Sequence, residues 1–178
     1  IMVNDVLNAG CILSNQSYKI PDYQRPYVWS EDLALGLLSS IKRSFGNENS
    51  EILLGHIILH ESKGKDGSAI DIVDGQQRIT TLALILKALG DNDVPFLQNR
   101  LNILSHRALK RNFDLLTREC ADIKDKEGLV EYIKEKVKFT FVKAVDLDEA
   151  FLYFDTHNTS GRALSETDLL KNHHLMFM

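Results

Sequence analysis

Residues 69 to 89 set a strand, a tight polar turn and a helix in immediate succession. Ala69-Ile70-Asp71-Ile72-Val73 reads as a short strand. Ile79, Leu82, Leu86 and Leu89 then recur at helical spacing, with Ala83 and Ile85 broadening the stripe. Between them lies Asp74-Gly75-Gln76-Gln77-Arg78. Free backbone N–H groups and the positive end of a helix dipole meet at such a corner, which favours an anion such as phosphate. Gly75 lets the backbone turn and approach a ligand closely, Arg78 offers a planar fork for phosphate, and the two amides read either polarity. A plain structural corner accounts for part of this, with Asp74 capping the helix and Arg78 solvated. It does not account for two glutamines and an arginine in a first turn, where a cation opposes the dipole by ~0.3–1 kcal/mol.

A second unusual segment is Ile20-Pro21-Asp22-Tyr23-Gln24-Arg25-Pro26-Tyr27-Val28-Trp29, which holds two of the chain's three prolines. It reads as an ordered loop that presents Gln24 and Arg25 in a fixed geometry. Aromatic faces beside an arginine suit base stacking and phosphate gripping, although Trp29 is expected to anchor the core. The third segment runs from Phe154 through Asn158, Gly161 and Arg162 to Lys171 and Asn172. Helix termination at 158–161 and a restart capped by Ser165, with Asp168 completing a capping box, explain most of it. Asn158 and Lys171 are its candidate ligand contacts.

The rest of the chain bounds the answer. With 178 residues it is long enough to bury an ordinary core. A net charge of −4 advertises no global nucleic-acid field. Cys11 and Cys120 are too isolated for a disulfide framework or a thiolate metal site, which suits a cytoplasmic protein. No apolar run reaches the ~20 residues of a membrane span, and phosphate loops ending in Gly-Lys-Ser/Thr, paired Cys/His zinc spacings and a Gly-x-Ser-x-Gly elbow are absent from the sequence.

Patterning predicts short helices or strands at Asn4–Ala9 (helix) and Tyr18–Ile20 (strand). A helix capped by Ser30 buries Leu33, Leu37, Leu38, Ile41 and Phe45, a buried strand covers Ile52–His60, and a loop spans Glu61–Ser68. Helices follow at Ser105–Cys120, Lys126–Val137 and Asp148–Thr156, with a strand at Lys138–Val145. The basic run from His106 and Arg107 through Lys110 and Arg111 to Arg118 is diluted by Asp114 and Glu119, and reads as a solvated face. His56 reads as a hydrogen-bonded strand histidine, and the adjacent His173-His174 as helix surface. The apolar Leu175–Met178 end suggests either docking on the core or a longer protein of which this is the N-terminal part. The sum is an α+β fold with strands concentrated in the first half and a helix-rich second half.

The three segments in that order resemble the DUF262 family, the N-terminal domain of GmrSD-type restriction enzymes and related phage-defence proteins, across nearly the whole chain. Its core is similar to ParB and sulfiredoxin. The resemblance implies a single domain over residues 1–178 with a small mixed sheet in a core of about residues 1–90 and a helical extension over about 91–178. It implies nucleoside triphosphate binding and hydrolysis at Asp74–Arg78. Gly75, Gln76 and Gln77 would cradle phosphates, Arg78 would neutralise developing charge, and Asp74 would orient water or help hold Mg²⁺. Tyr23, Gln24, Arg25, Thr80, Asn158 and Lys171 complete the implied nucleotide set. In related systems hydrolysis is coupled to recognition or cleavage of modified DNA, with an HNH-type nuclease in a C-terminal domain or a separate subunit, and a homo-oligomer is compatible with this. No His-Asn-His module occurs in the sequence. The alternatives are a non-hydrolysing sensor of DNA modification or a ParB-like nuclease. A sulfiredoxin-like reductase is disfavoured because neither cysteine lies in a motif.

Overall fold

The computed structural model describes residues 3–47, 50–64, 67–99 and 103–158. Five strands form one mixed sheet in the order β1-β5-β3-β4-β2, built from Val3–Asn8 (β1), Tyr18–Lys19 (β2), Ile52–Gly64 (β3), Gly67–Asp74 (β4) and Val137–Ala144 (β5). The β1–β5 and β3–β4 pairs are antiparallel, whereas β3–β5 and β2–β4 are parallel. The helices are Ala9–Leu13 (α1), Glu31–Gly46 (α2), Gln76–Ala88 (α3), His106–Cys120 (α4), Lys126–Lys136 (α5) and Leu147–Asn158 (α6), with two 3-10 turns, Pro95–Gln98 and Ile103–Ser105. The fold is α+β, and its sheet draws on both halves of the chain, because β5 lies between β1 and β3.

Strand alternation divides the apolar residues between two faces. Ile57, Leu59, Ile72 and Phe139 pack under α1, α2, α3 and α5 in the main core. Ile58, Val73 and Ala144 face the other way, against Ala150 and Phe151 of α6. The Ser30 hydroxyl accepts from Leu33 N at 3.2 Å, and Glu31 and Asp32 complement the dipole of α2. Every residue of α3 from Gln76 to Leu86 is buried except Arg78, so this helix is enclosed on all sides. By contrast, α4 buries Asn112, Leu115, Leu116 and Cys120 and leaves a charged face to solvent. No helix among the described residues is long and apolar enough to cross a membrane.

Three local expectations are corrected. Residues 4–8 are extended, not helical: β1 pairs with β5 from Val3↔Lys143 to Asn8↔Lys138, and helix begins only at Ala9. Six residues at a sheet edge carry too little periodicity to distinguish the two states, and the partner strand lies far along the sequence. The N-cap of α3 is Gly75 rather than Asp74, with φ +97° and no side-chain capping bond. Finally, β3 and β4 run on to Gly64 and from Gly67, so the connection is much shorter than a loop over 61–68. Ser165, Asp168, Lys171, the His173-His174 pair and the apolar Leu175–Met178 end lie outside the described residues.

Candidate functional site

The corner after β4 and the loop over residues 20–29 come together. Both polar groups of the Gln77 amide are committed to the loop's backbone. Its oxygen accepts from Val28 N at 2.9 Å, and its nitrogen donates to Pro26 O at 3.1 Å. Gln24, only 4% exposed, donates to Val73 O at 2.9 Å and accepts from Gln76 Nε2 at 2.7 Å. These bonds satisfy side chains whose burial would otherwise cost several kcal/mol.

A second set of bonds, unforeseen from the sequence, ties the loop to α4. Tyr27 N donates to Ser105 Oγ at 2.8 Å. Asn112, fully buried, donates to Tyr27 Oη at 2.8 Å and to Trp29 O at 2.9 Å, and Arg111 Nη2 reaches the same carbonyl at 2.6 Å. Thr81 Oγ1 donates to Gln77 O, so the Tyr27 hydroxyl donates in turn to Thr81 at 2.7 Å. Asn112, Tyr27, Thr81 and the α3 backbone thus form one directional chain in which each bond polarises the next. Burial pushes the Tyr27 phenol up, with its hydrogen bonds pulling the other way. The sequence signal for Asn112 was a polar residue on the apolar face of α4, one turn before Leu115 and Leu116. The pattern of basic residues places Arg111 on a solvated face, which Lys110, exposed and paired with Asp114 at 3.5 Å, does represent.

Loop, corner and α4 enclose a cavity of about 750 Å³. Gln24, Gln76, Gln77 and Thr80 line it from the corner. Pro21, Asp22, Arg25 and Tyr27 line it from the loop, and Ile103, Ser105 and His106 from the start of the helical half. Thr80 is fully buried, and its Oγ1 bonds nothing among the described residues. Burial lowers the Arg25 pKa, but a guanidinium stays charged in proteins. No group of three or more His, Cys, Asp or Glu side chains among the described residues is arranged to hold a metal ion.

Asp74, Gly75, Arg78 and Tyr23 do not line this cavity. Arg78 donates from Nη1 to Leu54 O on β3. It fits there because Gly55, at φ +133°, has no Cβ to meet the guanidinium, and the β3–β5 register shifts at this point. A glycine inside a strand was the available signal for that bulge. Gly75 is packed in the same manner: a Cβ would lie 2.5 Å from Ile57 Cγ2, so its missing side chain makes room for β3. Asp74 is 5% exposed and, like Gly75, Arg78 and Tyr23, is not among the lining residues. The Tyr23 phenol is pushed up to about 12, first by burial and then by the Asp71 carboxylate. His56 Nδ1 pairs with Thr140 Oγ1 at 3.1 Å, the hydrogen-bonded strand histidine expected. Asn158 is the last residue of α6, and its side chain lies outside the described part of the structure.

A family model for the N-terminal domain of the GmrSD restriction endonuclease matches residues 6–175. No curated protein matches the chain.

Proposed function

The chain belongs to the GmrSD restriction endonuclease N-terminal domain family, and from that membership we propose that it binds and hydrolyses a nucleoside triphosphate, coupled to recognition or cleavage of modified DNA. Cutting falls to a nuclease domain or subunit other than these residues.

The cavity carries this reading. Its volume of about 750 Å³ falls within the ~300–1,000 Å³ typical of ligand pockets. Most of its polar lining comes from the two segments that set the sequence apart. Leaving a hydroxyl buried without a partner costs ~1–3 kcal/mol, and Thr80 Oγ1 carries that cost in the absence of ligand. Arg25 supplies positive charge at the loop wall, where partial desolvation strengthens its pull on a phosphate. The polar residues of the corner divide the task. Gln76 meets the ligand, Gln77 holds the loop that carries Gln24 and Arg25, and Arg78 braces α3 against β3 as a positioning residue.

A Mg²⁺ ion arriving with the nucleotide needs only one or two protein carboxylates. Asp22 fits that demand as a carboxylate on the cavity wall, better placed for it than the buried Asp74. The ion would neutralise charge on the phosphates during transfer.

Phosphate release from the four nucleoside triphosphates, with and without modified DNA, tests the reading. Release stimulated by DNA, and reduced at least tenfold in Arg25→Ala, is the expected result. Tight binding without release would make the chain a sensor, and DNA nicking without nucleotide would make it a nuclease.

A further inference from the structure

The amide chain between β4 and α3 fixes the polarity of the cavity floor. A backbone carbonyl only accepts, so Gln24 must turn its amide nitrogen to Val73 O, at 2.9 Å. The Gln24 oxygen is then the atom that faces Gln76, and it can take only the Gln76 nitrogen, at 2.7 Å. Gln76 is left with its carbonyl oxygen and the second hydrogen of its amide nitrogen, on a side chain that lines the cavity. This assignment follows from donor and acceptor chemistry and does not depend on telling amide O from N by their coordinates. One helical turn on, and so on the same face of α3, stands the unbonded Thr80 hydroxyl.

The floor therefore presents an amide and a hydroxyl, both uncharged. A phosphate placed there would lose its hydration and meet neutral dipoles instead of a compensating charge. Arg25 stands on the loop wall, and Pro21 and Ile103 add apolar surface.

We propose that the floor takes the nucleobase and not the phosphates, an orientation that rests on the nucleotide reading above. A ring or exocyclic N–H of the base donates to Gln76 Oε1, and the Thr80 hydroxyl bonds the neighbouring base atom. The base plane lies against Pro21 and Ile103, and the triphosphate extends toward Arg25. Gln76 and Thr80 are then base-reading residues.

The test compares the four nucleosides, the four nucleoside triphosphates and inorganic tripolyphosphate, titrated by NMR against the chain and its Thr80→Val and Thr80→Ser variants. Val conserves the volume of Thr, and Thr80→Ala serves the same comparison should Val strain the packing. Losing one hydrogen bond of ~1.4 kcal/mol is a tenfold change. Thr80→Val should thus weaken the best-bound nucleoside and its triphosphate about tenfold each, leave tripolyphosphate unaffected, and be rescued by Thr80→Ser. Unchanged nucleoside affinity in Thr80→Val, or a loss shared by tripolyphosphate, would put phosphate on the floor and overturn the orientation. If none of the four triphosphates binds the wild-type chain, the nucleotide reading itself fails, a different result from either.

Discussion

Gln76 and Gln77 are neighbours, chemically identical and each 6% exposed, yet the first turn of α3 puts them to opposite uses. On one side, Gln77 closes on the backbone of Pro26 and Val28, and the Asn112–Tyr27–Thr81 chain locks the same loop to α4. Every polar atom named on that side has a partner. On the other side, Gln76 keeps an acceptor for the cavity and Thr80 a hydroxyl with nothing to bond. A helix that is buried all round normally resolves its polar groups internally. Where one face is resolved and the other is not, the unresolved face is the one built for something absent from the chain.

The contrast is most exposed to test at the lock. Asn112→Ala removes two hydrogen bonds, leaving the Tyr27 hydroxyl without its donor and the Trp29 carbonyl with Arg111 alone in a closed interior. Broken buried networks rank among the larger destabilisations. A loss of about 3 kcal/mol in urea unfolding is expected. A loss below about 1 kcal/mol would mean that water replaces the amide and that the α4 side is no more resolved than the cavity side.

The paired glutamines give a sharper comparison of smaller size. Gln77→Met strands Val28 N and Pro26 O and should cost about 2 kcal/mol. Gln76→Met gives up one bond to Gln24, about 1 kcal/mol, but should weaken nucleotide binding the more per unit of stability lost. Equal ratios of binding loss to stability loss in the two variants would erase the distinction.

How much of this division the sequence carried depends on range. The corner at residues 74–78, the loop over 20–29 and the Ser30 cap were legible because each is specified by neighbours: glycine and proline dihedrals, a capping hydroxyl, helical spacing. The convergence of loop and corner was legible only through family resemblance, since no local rule brings Gln24 to Val73. The α4 lock was not legible, because Asn112 meets Tyr27 across 85 residues and an asparagine among leucines does not announce its partner. The strand at 3–8 failed for a related reason: its state is set by β5, not by its own six residues. Arg78 was legible as important but its direction was not, since that depends on Gly55 opening space on β3.

A smaller effect appears in alkali and comes from the loop itself. Burial raises the phenols of Tyr27 and, to about 12, Tyr23 above the ordinary value of 10.0. Below pH 10 the phenol is protonated in both folded and unfolded chains, and the stabilisation is fully present. Above it the unfolded chain ionises first, so stability falls as pH rises through the folded values. Tyr23 is 40% exposed, and solvent screening holds its share to about 1 kcal/mol or less. Urea midpoints between pH 8 and 11 should decline in the wild type and decline less in Tyr23→Phe. A flat profile would show that the loop does not desolvate its tyrosines.

The smallest effect is also the one with an unusual sign. Thr80→Val exchanges a buried hydroxyl for a methyl of similar size. Where a hydroxyl is bonded, that exchange destabilises by ~1 kcal/mol. Thr80 Oγ1 has no bond to lose, and the added methyl gains apolar contact, so stability should hold or rise by up to about 1 kcal/mol. Thr81→Val, one residue along and equally buried, deletes the link between Tyr27 and the α3 backbone and should destabilise instead. Thermal midpoints of the two variants must therefore move apart. If Thr80→Val falls as far as Thr81→Val, its hydroxyl already has a bound water as partner, and the cavity floor is resolved without a ligand.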